Sequence, residues 1–187
     1  MILNFRHLQL FVIFMILLTA QDTFGGKPSF QRPYTIKMVS YVDEYSHDIF
    51  KSLKVGLTNQ TFSGCFMLNK DIKTFDVRAV VTVPKIGGTW TAFNTTLNGC
   101  GLLASGGKLP TNIIQFSLKT ILASSHQLPD RCPIQKDTKY CFGSFTLDSV
   151  QFPRSFPPMN LNVVIDFIEK KLLMYKVYLG VEMSSCN

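Results

Sequence analysis

With 187 residues the chain has room for one full hydrophobic core and is short for two. It is 46% apolar and 17% charged, which excludes an unstructured polyelectrolyte. Its formal charge of +7 is scattered over lysines such as Lys51 and Lys54, Lys70 and Lys73, Lys136 and Lys139, and Lys170 and Lys171. No basic tract is interleaved with aromatics, so the balance argues against nucleic acid and leaves a solvated surface, anionic lipid headgroups or acidic glycans to account for it.

Met1 to Ala20 reads as a secretory signal, with Arg6 in a charged start, an apolar run from Leu10 to Leu18 and a small-residue exit at Thr19-Ala20. A second cleavage point follows Gly25. The rival reading, a membrane anchor, fails on length, because nine apolar residues cannot span ~30 Å of hydrocarbon. Removing residues 1–20 takes away Arg6 alone and leaves 18 basic against 12 acidic residues. Residues 21–33, polar with two glycines and two prolines, are expected to be a leader with little structure, and residues 34–187 a single domain.

From Tyr34 the pattern turns to strands. Tyr34, Ile36 and Met38 alternate with Thr35, Lys37 and Val39, and Asp43 to Asp48 reads as an acidic turn. Phe50 to Leu57 is a weaker candidate because of its two lysines. In Gln60 to Leu68, the face with Phe62, Gly64, Phe66 and Leu68 points inward, and Cys65 falls on the other side. Thr74 to Val83 puts Phe75, Val77, Ala79, Val81 and Val83 on one face, with Pro84 ending the strand and Gly87-Gly88 turning the chain. Thr89 to Thr96 returns. The sequons Asn59-Gln60-Thr61 and Asn94-Thr95-Thr96 predict exposed glycan acceptors at Asn59 and Asn94. A glycan on Asn94 would leave Trp90 outside.

Gly99, Gly101, Gly106 and Gly107 read as a flexible approach to a helix started by Pro110, Thr111 and Asn112. Ile114, Leu118, Ile121 and Leu122 form its apolar stripe, placing one helix near 111–123 that must lie against a sheet. Tyr140 to Asp148 is strand-like, and the aromatic–proline loop Phe152–Pro158 cannot join a sheet interior. Leu161, Val163, Ile165 and Phe167, then Leu173, Tyr175, Val177, Leu179 and Val181, alternate on either side of Lys170-Lys171 as a final hairpin. Seven or eight such strands predict a mainly β fold, an antiparallel β-sandwich or β-cup.

Five cysteines (Cys65, Cys100, Cys132, Cys141, Cys186) in an oxidising compartment imply two bridges and one spare thiol, and spacing alone leaves 15 arrangements open. No CxxC is present, so neither a zinc site nor a thioredoxin-type site has support. The run Gly99-Cys100-Gly101-Leu102-Leu103-Ala104 matches the relaxed dinucleotide pattern GxGxxA, which requires a strand–turn–helix in a parallel sheet. No GxSxG or HExxH occurs, and His47 and His126 sit in polar surroundings. The expectation is therefore a non-enzymatic protein with no cofactor and no metal.

What remains is the apolar face. It packs as a solid core, or the sheets part around a cavity. The cavity would be lined by Phe75, Val77 and Val81 of one strand, Val163, Ile165 and Phe167 of a second, Tyr175, Val177 and Leu179 of a third, and Ile114 and Leu118 of the helix. Periodicity does not separate these readings.

Gly99-Cys100 with Leu102-Leu103, the Pro110/Asn112 helix start, Cys132-Pro133, the Tyr140 strand, the proline-rich loop and the closing hairpin resemble a family of secreted fly proteins. That family is similar to the ML (myeloid-differentiation-protein-related lipid-recognition) superfamily, near the chemosensory B proteins of flies and the ganglioside activator. The resemblance implies a β-sandwich or β-cup with a cavity for a hydrophobic small molecule or lipid. It implies a Cys100–Cys132 bridge and a Cys186 bonded back to an earlier strand, with one of Cys65 and Cys141 spare. It also implies a secreted carrier, in chemosensory or reproductive use. The alternative is an extracellular module with a solid core, its basic face bound to a receptor, a glycan or a membrane surface.

Overall fold

The computed structural model describes residues 34–105, 128–146 and 157–185. The signal and leader segments, the helix expected at 111–123 with Ile114 and Leu118, and Cys186 lie outside the described residues. Those described form eight strands and one short helix: β1 (Tyr34–Tyr45), β2 (Phe50–Thr58), β3 (Thr61–Leu68), β4 (Asp76–Lys85), β5 (Gly88–Asn98), α1 (Gly99–Ala104), β6 (Tyr140–Thr146), β7 (Met159–Glu169) and β8 (Leu172–Ser185).

Among the described residues every strand pairing is antiparallel. A five-stranded sheet runs β1-β8-β7-β4-β5 and a three-stranded sheet runs β2-β3-β6. This is the mainly β, two-sheet architecture that the alternation predicts. It also removes the dinucleotide reading, because a strand–turn–helix here opens no parallel sheet.

Local chemistry sets the turns. Asn59 and Gln60 (φ 50° and 66°) make the β2–β3 hairpin and Lys170 and Lys171 (φ 48° and 71°) the β7–β8 hairpin, both two-residue turns whose twist suits antiparallel strands. Two expectations need correction. Asp43, Glu44 and Tyr45 belong to β1, not to a turn, since β1 keeps its ladder with β8 as far as Tyr45–Tyr175. Pro84 does not end β4, which continues to Lys85, where it faces Gly88.

The glycine-rich approach after β5 is also not a flexible loop in its first half. Asn98 caps α1, its Oδ1 accepting from the Gly101 amide at 2.7 Å, and Leu102 is buried beneath it. Gly99 donates its amide to the Phe75 carbonyl at 2.8 Å. A Cβ on Gly99 would fall against the Phe75 ring, so glycine is required there by close approach.

Buried residues gather in two clusters. The larger, near α1, contains Ile49, Leu68, Ile72, Phe75, Val77, Leu102, Ile134, Tyr140 and Met174. The smaller, at the other end of the five-stranded sheet, contains Tyr34, Leu161, Val181 and Met183. Ile72 and Ile134 form a two-hydrogen-bond bridge (3.0 and 2.9 Å) that stitches the segment after Cys132 to the β3–β4 connection.

Two further ties hold the sheets together. Gln60 clamps Met38, accepting from its amide at 2.6 Å and donating to its carbonyl at 3.1 Å, where β1 bulges between Met38 and Ser40. Lys70, before β4, reaches Glu169 at the end of β7 at 2.7 Å, with the Glu169 side chain only 6% exposed. Removing the cation leaves a buried carboxylate unpaired, so Lys70→Met should lower stability by about 1–2 kcal/mol, less than for a fully buried pair because Lys70 is half in water. Urea unfolding measures it; an unchanged midpoint would show the pair to be energetically idle.

Candidate functional site

Cross-strand register assembles the apolar residues of four strands into rows. Val77, Phe167, Tyr175 and Tyr45 form one row. Ala79, Ile165, Val177 and Asp43 form the next, followed by Val81, Val163, Leu179 and Tyr41. Eight of the nine strand-borne residues expected to line a cavity thus lie in one contiguous patch. The ninth, Phe75, sits just before β4 and stacks on Phe167 with ring centroids 6.4 Å apart.

The patch faces the three-stranded sheet through aromatic contacts. Tyr41 meets Phe62 edge-on at 5.2 Å, Phe62 stacks on Phe142 at 5.5 Å, and Phe50 lies edge-on to Tyr175 at 6.1 Å and to Phe66 at 6.2 Å. The Tyr41–Phe62 and Phe50–Tyr175 pairs tie the two sheets to each other across the patch.

Burial across the patch is incomplete. Phe75, Val77, Ala79 and Val177 are buried, whereas Val81, Val163, Ile165, Phe167, Tyr175 and Leu179 stay half-buried. Opposite them Leu53, Val55, Leu57, Phe62, Phe66 and Phe142 are half-buried too. Within the middle row Ala79 and Val177 are closed, at 2% and 4% exposed, while Ile165 between them and the flanking Val81, Val163 and Leu179 keep part of their surface open.

One polar group interrupts the apolar rows. The Tyr41 and Tyr175 hydroxyls lie 3.0 Å apart, and Asp43 stands beside both. Burial, first, and the Asp43 carboxylate push the Tyr41 phenol well above its ordinary pKa. Burial, then the Tyr41 hydroxyl and Asp43, do the same to Tyr175. Both phenols therefore stay protonated. The sequence reading placed Tyr175 in the lining but missed Tyr41 and Asp43, having assigned Asp43 to a turn.

Two disulfides frame the site. Cys100 of α1 is bonded to Cys132. Cys65 is bonded to Cys141, which corrects the expectation that one of them is spare: β3 and β6 are neighbours and place the two residues directly opposite each other. Bridges of this kind persist in an oxidising compartment. The sequon residues Asn59, in the β2–β3 turn, and Asn94, on β5, are both exposed. His47 is exposed and packs edge-on against Tyr45.

An open depression of about 670 Å³ is bordered by Ser52, Lys54, Gly56, Ser63, Cys65, Lys139 and Phe142. It lies beside the Cys65–Cys141 bridge, carries two lysines, and shares Val55 and Phe142 with the residues that face the patch.

Two antiparallel sheets facing each other across a partly buried apolar patch define a disulfide-bonded β-sandwich. No family model matches the chain, and no curated protein does. Among solved structures, a Niemann-Pick type C2 protein from the Japanese carpenter ant aligns over 84% of this chain and 97% of its own, at 13% identity and a TM-score of 0.31.

Proposed function

We propose that this protein is a secreted, non-enzymatic carrier of a small hydrophobic or lipid-like molecule held between its two sheets. The observation that carries the reading is the half-buried band of Val81, Val163, Ile165, Phe167 and Leu179 facing half-buried Phe62, Phe66 and Phe142, with the closed clusters at its ends. Apolar surface left open between two sheets gains about 0.8 kcal/mol per ligand methylene it removes from water, before the entropy cost of binding. The resemblance to the ML superfamily points to the same class of occupant. Secretion is supported by the signal-like start and the two bridges; chemosensory or reproductive use rests on the resemblance alone.

The test is uptake of the neutral probe N-phenyl-1-naphthylamine by the purified, oxidised protein, with Ile165→Trp as the variant. Filling an open cleft should abolish uptake and leave the melting temperature nearly unchanged. In a solid core the same substitution overpacks and costs about 1–3 kcal/mol. No uptake by the wild-type protein, or a variant that loses stability in this way, would overturn the reading. A second reading, a module binding an anionic glycan or receptor, draws on Lys54 and Lys139 in the open depression. Retention on immobilised heparin that is lost in Lys54→Ala with Lys139→Ala would favour it.

A further inference from the structure

We propose that Asp43, Tyr41 and Tyr175 form the head-group subsite of the inter-sheet cleft, and that it selects amphiphiles whose head donates hydrogen bonds, an alcohol or an ammonium, over those ending in a carboxylate. The inference rests on the carrier reading above and adds the chemistry of the ligand's polar end.

The placement comes from the backbone. Tyr41, Asp43 and Tyr45 alternate along β1 and register with Leu179, Val177 and Tyr175 of β8. The edge-on contact of Tyr41 with Phe62, and of Tyr175 with Phe50, fixes this face of β1 and β8 as the one turned to the other sheet. Asp43 is the sole charged side chain in the three rows that make up the patch. A carboxylate among valines and aromatics is costly unless something hydrogen-bonds to it.

The donor and acceptor count then decides the ligand. A carboxylate only accepts and offers about four lone-pair sites, whereas each phenol supplies a single proton. The two phenols lie 3.0 Å from each other, so at least one of their protons can be used between them. The trio is left with spare acceptor capacity. Among the described residues no lysine or arginine pairs with Asp43. A hydroxyl or ammonium head completes this arrangement. A carboxylate head brings a like charge and no proton to donate. All three side chains are only half-buried, so a ligand lying along the apolar rows can reach them.

The experiment is displacement of N-phenyl-1-naphthylamine from the full-length oxidised protein by 1-hexadecanol, hexadecylamine and hexadecanoate, equal in chain length and different in head. The alcohol and the amine should displace the probe at concentrations about tenfold or more below hexadecanoate, the size of one charge-assisted hydrogen bond gained or one repulsion avoided. Asp43→Asn should bring the three within about threefold of one another, mainly by improving hexadecanoate. Tyr175→Phe should weaken the alcohol relative to hexadecanoate, with each competitor referred to the variant's own probe affinity, and it carries the test if Asp43→Asn fails to fold. Amine and alcohol binding equally would identify hydrogen-bond donation as the feature read; a further amine advantage would identify charge pairing. Hexadecanoate binding as well as the alcohol, or a selectivity that survives Asp43→Asn, overturns the subsite and leaves the carrier reading intact. Failure of the probe itself to bind overturns both.

Discussion

Replacing Cys65 and Cys141 together by alanine is expected to lower the unfolding free energy by about 4 kcal/mol, the chain-entropy value for a loop of this size. The bridge joins residues 76 apart in sequence. It fastens β6, one edge of the three-stranded sheet, to β3 at the middle of that sheet. The ladder between them is interrupted by a register shift between Phe62 and Gly64, so few backbone bonds hold β6 on their own. Against a total stability of typically 5–15 kcal/mol, such a loss should sharply reduce the secreted yield and the urea midpoint. The bridge encloses the 32-residue Cys100–Cys132 loop, so each bridge shortens the loop that the other closes and the quadruple variant should lose somewhat more than the sum of the pairs. An unchanged midpoint in the Cys65→Ala, Cys141→Ala protein would show that β6 is held by its side chains alone.

Gly99→Ala is expected to cost about 2 kcal/mol, although it places one methyl group at a helix start where alanine is usually favoured. The added Cβ falls against the Phe75 ring, which is itself buried and stacked on Phe167, so the ring has little freedom to retreat. The backbone is equally fixed, since the Gly99 amide is bonded to the Phe75 carbonyl. The overlap is steric and local, so Phe75→Leu in the Gly99→Ala background should recover part of the loss. A double-mutant cycle then yields a coupling above about 0.5 kcal/mol. Additive losses would mean that the strain lies in the backbone rather than against the ring.

These features were unequally legible. The β7–β8 hairpin is plain in the sequence because Leu161 to Phe167 and Leu173 to Val181 each alternate over several residues around Lys170-Lys171. The Val163, Ile165, Phe167, Tyr175, Val177 and Leu179 part of the patch follows from that alternation within the hairpin, whereas the place of Val77 and Val81 beside it depends on the non-local pairing of β4 with β7. Helix α1 was missed because glycines at 99 and 101 argue against a helix by propensity. The Asn98 cap and the burial of Leu102 outweigh them, and an asparagine before Leu-Leu-Ala was the available signal. Pairing Cys65 with Cys141 needs β6 to be known as the partner of β3, a contact no local pattern encodes. The Tyr41–Tyr175 hydrogen bond spans 134 residues, and the charges after Asp43 made a strand look like a turn.

The arrangement of the two bridges, one closed inside the other, has a practical outcome for any protease that cuts the backbone between residues 101 and 131. The severed halves would stay attached at two independent covalent points. A nicked molecule would therefore run at full mass on a non-reducing gel and separate into two fragments only after treatment with a thiol. Loss or replacement of peptide in that interval would leave β3 and β6 joined, and Cys100, just after β5, still tied to Cys132.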